Sequence, residues 1–318
     1  MRTEGARIFR SLDEAGSGFG PCALSIGNFD GVHAGHRRIL ARVAALAAEH
    51  GWQPSVITFD PHPAKVLAPG RAPRLLYTAG ERCRLLAEQG IRQILLIPFD
   101  ERFSHLRPEE FAQRVLVDRL EAKAVVVGEG FRFGHRQSGD VALLRELGGR
   151  LGFQVEGVER VSVRGRAVSS TAVRGLIEAG EVSHASRLLS RPYALEGEVV
   201  AGRGVGSRQT VPTLNLATNA ELVPGKGVYV TRTTDSRDGR RWPSVTNVGF
   251  RPTFGGHRLT VETFLLEALE GDTPARIKVE FLLRLRDEHK FPDAAALKAQ
   301  ILRDAARAQA YFRRLGRL

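Results

Sequence analysis

Two histidines, His33 and His36, stand three residues apart in the run SIGNFDGVHAGHRRIL of residues 25–40, with Gly35 between them and Gly27 and Gly31 before them. Ala23, Leu24 and Ile26 read as a short buried strand, and Ile39, Leu40, Val43, Leu46 and Ala47 recur at helical spacing until Gly51. The histidines therefore fall at the start of a first helix. Unsatisfied backbone N–H groups and the positive end of the helix dipole suit that position to an anionic ligand. Glycines let such a ligand approach the main chain closely. Two imidazoles so placed can face one phosphate and stabilise the charge that builds on it during substitution at phosphorus. The chemistry indicated is nucleotidyl transfer; a glycine-rich turn with two solvated histidines is the plain structural alternative.

Two more polar motifs follow later strands. DPHP occupies residues 60–63 and GEGFRFGHRQSGD residues 128–140. Short apolar runs at 55–59, 93–99, 124–128 and 153–158, with amphipathic stretches near 36–49, 79–89, 108–120 and 140–150 between them, predict a doubly wound α/β sheet. Ligands of such sheets bind at the carboxyl ends of the strands, where all three motifs fall. In DPHP, Pro61 and Pro63 can also simply fix a turn against which His62 packs. Beyond the last of these strands, VSSTAVRGLIEAGEV at 168–182 opens a helix with Ser169, Ser170 and Thr171, and Val173, Leu176 and Ile177 form its inner face. The plain structural reading of the hydroxyls is a simple cap. With Arg174 they can also hold the β- and γ-phosphates of ATP as pyrophosphate leaves, and two phosphate-compatible helix starts in one α/β domain favour adenylyl transfer.

The pattern changes at Arg191 and Pro192. Strand-like runs at 194–200, 211–217, 227–234, 242–250, 259–267 and 277–285, then one helix over about 293–315, predict a small β-barrel closed by that helix. Domains of 1–189 and 190–318 result. In the barrel, GEVVAGRGVGSRQTVPTLNL at 197–216 supplies Gly202, Gly204 and Gly206 as a candidate backbone nest for phosphate. Thr213 and Asn215, two apart on a strand, face the same side and can ligate Mg²⁺. Glu262, inside the strand-like VETFLLE, is either a partly exposed strand residue or a general base.

A chain of 318 residues has room for two cores, and 42% hydrophobic with 26% charged residues is ordinary for a globular protein. No apolar run reaches membrane-spanning length and the N-terminus lacks a secretion-signal core, so a cytoplasmic protein without membrane contact is expected. Cys22 and Cys83 have no metal-ligand spacing and are expected to be buried, reduced thiols. Net charge is +12, but the arginines form no arm or single stripe, and the excess suits nucleotide and pyrophosphate ligands; no nucleic-acid partner is expected.

In their order and spacing GNFDGVHAGH, TFDPHP, FRFG, SSTAVR, PTLN, GVYV, NVGFRPTFGG, VETF and KFPDAAALKAQILRDA make the chain resemble, over nearly its whole length, the bacterial bifunctional riboflavin kinase/FMN adenylyltransferase family. The resemblance implies a Rossmann-like nucleotidyltransferase domain making FAD and pyrophosphate from FMN and ATP. It also implies a barrel domain making FMN and ADP from riboflavin and ATP with Mg²⁺. Carried onto this sequence, it implies that His33 and His36 contact the ATP phosphates together with Gly27, Asn28, Phe29 and Gly35, and that Ser170, Thr171 and Arg174 form the second nucleotide motif. Flavin contacts fall on His62, Phe131 and Phe133, metal and phosphate contacts on Thr213 and Asn215, and the base is Glu262. The chain departs from the family pattern at Gly130, Val205, Gln209, Thr210, Leu214, Pro274 and Ala275. An adenylyltransferase with a weakened kinase, or a basic RNA-binding or regulatory protein on this scaffold, are the alternatives. A class I aminoacyl-tRNA synthetase fragment would share the histidine helix start but bring a lysine in its second motif, and SSTAVR has none.

Overall fold

The computed structural model describes residues 2–3, 5–16, 18–200, 213–253 and 256–316. Its internal contacts divide the chain into two units, Met1–Ser170 and Thr171–Leu318.

The first unit is built on a sheet of strands β1 (Ala6–Phe9), β2 (Cys22–Ile26), β3 (Gln53–Phe59), β4 (Gln93–Ile97), β5 (Ala122–Gly128) and β6 (Gln154–Val158). They lie in the order β1-β4-β3-β2-β5-β6, all parallel, and the two residues Arg2–Thr3 add an antiparallel edge beside β1. The order reverses at β2, which has β3 on one side and β5 on the other. The crevice beyond the carboxyl ends there is where doubly wound sheets bind ligands.

Both faces of the sheet are covered, so its strands read as apolar runs rather than alternations. Leu24, Ile57 and Val125 point to a layer holding Phe111, Val115 and Leu144, while Ala23, Val56 and Val126 meet Leu40, Val43 and Leu86 on the other side. The covering helices are α1 (Ala34–His50), α3 (Ala79–Ala87) and α4 (Val141–Leu151), and the short α2 (Pro63–Leu67), without a buried residue, lies between α1 and α3 in the chain. Within the stretch 108–120, residues Phe111–Val117 wind as a π-helix. The ends follow local chemistry: Thr78 and Glu81 form a capping box on α3, Asp140 caps α4, and Gly51 and Gly152 close α1 and α4 at φ +71° and +83°, in the left-handed region that glycine enters freely. β1 has only four residues, too few for periodicity to reveal.

The second unit begins with α5 (Ser170–Glu178, whose first residue belongs to the first unit) and α6 (Val182–Leu189). The six strands are β7 (Tyr193–Val200), β8 (Thr213–Ala217), β9 (Gly227–Asp235), β10 (Arg241–Thr253), β11 (Gly256–Leu265) and β12 (Arg276–Arg286). They close an antiparallel barrel in the order β7-β8-β11-β10-β9-β12, and α7 (Ala294–Arg314) follows. Ala308 and Phe312 of α7 cover Val228, Val230, Val245 and Leu285, and Asp304 pairs with Arg286 at 2.8 and 2.9 Å.

Five buried hydroxyls join across the barrel in one chain, Thr233–Ser244–Thr231–Thr246–Thr263, with links of 2.7–2.9 Å. Tight curvature elsewhere needs glycine: a Cβ on Gly197 would overlap the main-chain carbonyl of Ala217. Gly197→Ala should therefore cost about 1–3 kcal/mol, read as an earlier urea midpoint at unchanged slope.

Both cysteines are free and buried. Burial pushes the Cys22 thiol up to about 12 and raises that of Cys83 as well. A thiol reagent at about pH 8 should leave both unmodified in the native chain and label both once urea unfolds it. Rapid labelling of the native protein would contradict this packing.

Candidate functional site

β2 delivers the chain to Gly27, and the next residues turn sharply: Phe29 at φ +47°, Gly31 at +87° and Val32 at +39°. For a phenylalanine and a β-branched valine this is the strained left-handed region, held only because both side chains are buried in the core under α1. His33 then caps α1. Its Nδ1 accepts the His36 backbone N–H at 3.3 Å, which leaves the proton of the neutral ring on Nε2. The His33 and His36 rings stack, with centroids 3.6 Å apart and planes 12° from parallel, and Phe29 meets His36 edge-on at 5.1 Å. A Cβ on Gly35 would sit 3.3 Å from the His33 ring. Gly35 thus makes room for the imidazole.

β3 ends at Phe59, and His62 caps α2 by accepting the Ala64 N–H on Nδ1 at 3.1 Å. Its Nε2 lies 3.0 Å from the Asn28 amide. Since Nδ1 is the acceptor, Nε2 carries the proton and the pair is completed with the amide oxygen of Asn28 facing it. The first two motifs are thus joined directly.

After β5, Phe131 and Phe133 stack at 5.7 Å and 8°. Sequence reasoning had named only these two, but they end a longer row: Phe59, Phe103, Phe111 and Phe133 follow one another at 6.1, 6.2 and 5.9 Å, and Phe99 packs on Phe59 at 5.5 Å. At Gly130 the space of the missing side chain is met by Arg160 Nη2, 3.0 Å from where a Cβ would lie.

Three polar residues that sequence reasoning missed support the histidine loop. Buried Asp30 accepts the Leu76 N–H at 3.0 Å, and its own carbonyl accepts Ser170 Oγ at 2.8 Å. Thr58 Oγ1 and Arg82 Nη1 each donate to the Asn28 carbonyl at 3.2 Å. The only signal for Arg82 was an arginine next to Cys83 on the apolar stripe of α3. Thr171 and Arg174 lie in the second unit, one helical turn apart, with Nη1 3.4 Å from Oγ1.

On the barrel the register assembles a second constellation. Asn215 on β8 stands opposite Glu262 on β11, and Glu262 opposite Asn247 on β10. Residues directly opposite share a face. Asn247 Nδ2 donates to Glu288 Oε1 at 3.4 Å. Thr213 is on the same face as Asn215, while Leu214 between them and Leu216 just beyond are buried on the other face. The departure at Leu214 therefore fills the other face of the strand and leaves the Thr213–Asn215 face as it was. Gly202, Gly204 and Gly206 lie outside the described residues.

The donors here are hard oxygens, the type Mg²⁺ takes. Among the described residues no group of three or more His, Cys, Asp or Glu is placed to hold a metal.

A family model described as FAD synthetase matches residues 18–172, and one described as riboflavin kinase matches residues 189–312. A bifunctional riboflavin kinase/FMN adenylyltransferase from Pseudomonas fluorescens is 37% identical, covering 91% of this chain and 92% of its own. The proteins of the same name from Escherichia coli K12 and Haemophilus influenzae are 35% and 31% identical, over 92% and 96% of this chain and 93% and 99% of theirs. A crystal structure from Streptococcus pneumoniae, described as a macrolide-efflux protein, matches with a TM-score of 0.85 at 25% identity, over 96% of this chain and 99% of that one. Among the described residues no helix of the present chain is long and apolar enough to cross a membrane. Likeness in sequence, in order of parts and over almost the full length of several relatives leaves one assignment: the chain belongs to the bifunctional riboflavin kinase/FMN adenylyltransferase family.

Proposed function

We propose that this chain makes both flavin nucleotides. Its second unit phosphorylates riboflavin with ATP to give FMN and ADP. Its first unit transfers the adenylyl group of ATP to FMN, giving FAD and pyrophosphate. The observation that carries this reading is that the FAD synthetase and riboflavin kinase stretches each hold their own polar constellation, the stacked histidines in one and the Asn215–Glu262 row in the other. Both reactions draw on ATP, and we assign the chain to the cytoplasm. The direct test is to supply riboflavin, ATP and Mg²⁺ and identify the products as FMN, FAD or neither.

The two reactions ask different things of the protein. FMN already carries its nucleophile as a phosphate anion, so adenylyl transfer needs no base. His33 and His36 stabilise charge on the α-phosphate, with Gly27, Asn28, Phe29 and Gly35 as the surrounding loop. In the first unit, Ser170 is our assignment for the leaving pyrophosphate, and His62, Phe131 and Phe133 for the flavin, whose flat ring suits aromatic faces.

Riboflavin instead offers a hydroxyl, which must lose a proton as it attacks the γ-phosphate. Glu262 accepts that proton. Thr213 and Asn215 would hold Mg²⁺ with the ATP phosphates, and the ion would neutralise charge on the transferred group.

Changing His33 or His36 to Ala should slow FAD formation about 10²–10³-fold while FMN accumulates; FAD made at the parental rate by both variants would remove the assignment of the first site. Glu262→Gln keeps size and hydrogen bonding but removes the base. It should lower FMN formation about 10²–10⁴-fold with little change in substrate affinity, and FMN supplied directly should still become FAD.

Val182, Ala185, Leu188 and Leu189 of α6 are buried, and α6 packs on β12 and β7. A fragment from Thr171 to the C-terminus retains that packing, so it should phosphorylate riboflavin and make no FAD. A folded fragment that leaves riboflavin and ATP unchanged would argue against kinase activity in this unit.

A further inference from the structure

The hydrogen-bond ladder between β2 and β3 ends with the Gly27 N–H on the Ile57 carbonyl at 3.1 Å. Past that bond the two chains part, one toward His33 and the other toward His62. A buried arginine spans the opening. Arg82, only 1% exposed, reaches from α3 to donate Nη2 to the Phe59 carbonyl at 2.6 Å and Nη1 to the Asn28 carbonyl at 3.2 Å. Thr58 Oγ1 shares the Asn28 carbonyl. The side chain of the same Asn28 meets His62, and the residues after it run through the positive-φ turn into the His33 cap. One guanidinium therefore fixes the main chain from which both histidine motifs depart.

Stability alone is a poor reason for an arginine here. Burial pulls its pKa below the ordinary arginine value, with Asp30 and Asp60 among the groups opposing that shift. Its Nε is buried without a hydrogen-bond acceptor among the described residues. Buried ionic groups are often replaced by apolar ones of similar volume at no loss of stability. What an apolar side chain cannot do is hold two divergent carbonyls at a fixed separation, which the planar fork of arginine does.

Resting on the adenylyltransferase reading of the first unit, we propose that Arg82 is a positioning residue for adenylyl transfer, acting through the main chain of Asn28 and Phe59 to set the placement of His33, His36 and His62. Too buried to reach a nucleotide, it works entirely through these neighbours.

The test uses the full chain with Arg82→Lys, Thr58→Val and the double variant. FAD formation from FMN and ATP is measured as kcat and KM, FMN formation from riboflavin serves as the control within each molecule, and the thermal midpoint is followed. Lysine keeps a charge but cannot fork, so kcat for FAD should fall about 10–100-fold, with FMN formation and the thermal midpoint near parental values. Thr58→Val should lower kcat less. Because both donors act on one carbonyl, the double variant should lose less than the product of the two single losses. Parental kcat in Arg82→Lys, or strictly multiplicative losses in the double variant, would overturn the positioning role. If Arg82→Lys does not fold, Thr58→Val decides: a lower kcat at an unchanged thermal midpoint supports the role, and parental kcat overturns it. A parental chain that makes no FAD from FMN would overturn the adenylyltransferase reading itself, a result distinct from an Arg82 variant that makes FAD normally.

Discussion

A parallel sheet runs out of hydrogen-bond partners at its carboxyl edge, and the first unit places that shortage at the ends of β2 and β3, beside the strand where the order reverses. Its carbonyls must be satisfied by something other than the ladder. Arg82 and Thr58 take the Asn28 carbonyl, Arg82 takes that of Phe59, and Ser170 takes that of Asp30. With the main chain held from beneath, Phe29 and Val32 can keep their unfavourable φ values and the two imidazoles can stack at the head of α1. The histidines are visible because their residue type and spacing form a local pattern. Their placement belongs to the carbonyl partners.

The barrel solves its problem differently. Closure leaves no free strand edge, so position comes from register, and Asn215, Glu262 and Asn247 meet because three antiparallel strands pair at those residues. The contrast follows the two nucleophiles. On the proposed function, a phosphate anion attacks without giving up a proton and would be served by N–H donors and imidazoles, whereas a hydroxyl would need a carboxylate close by. One chain thus holds a site framed mainly by main-chain groups and another framed by side chains on strands.

Much of this is legible in the sequence, for a physical reason. Alternation with a period of two puts Thr213 and Asn215 on one face of a strand, and a glycine-rich turn before a helical period puts His33 and His36 at a helix start; both are local patterns. The pairing of Asn215 with Glu262, 47 positions later, is not local and depends on how the barrel closes. Arg82, Thr58 and Asp30 are hidden for the same reason, since their partners are main-chain groups that any residue type carries. Gly35 shows a subtler limit: its need for space is set by a neighbouring ring.

The chain of hydroxyls inside the barrel has a consequence for how this sequence can change. Each member has one proton, so each of Thr233, Ser244, Thr231, Thr246 and Thr263 can donate along only one link of the row, and the four links constrain one another. Replacing an inner member by valine would leave its buried neighbours short of a partner, while replacing the whole row by apolar residues would strand none. Single steps along that path are disfavoured and the complete exchange is not. The row is therefore expected to drift only as a block, with Thr233 and Thr263 at its ends the first places where change is tolerated.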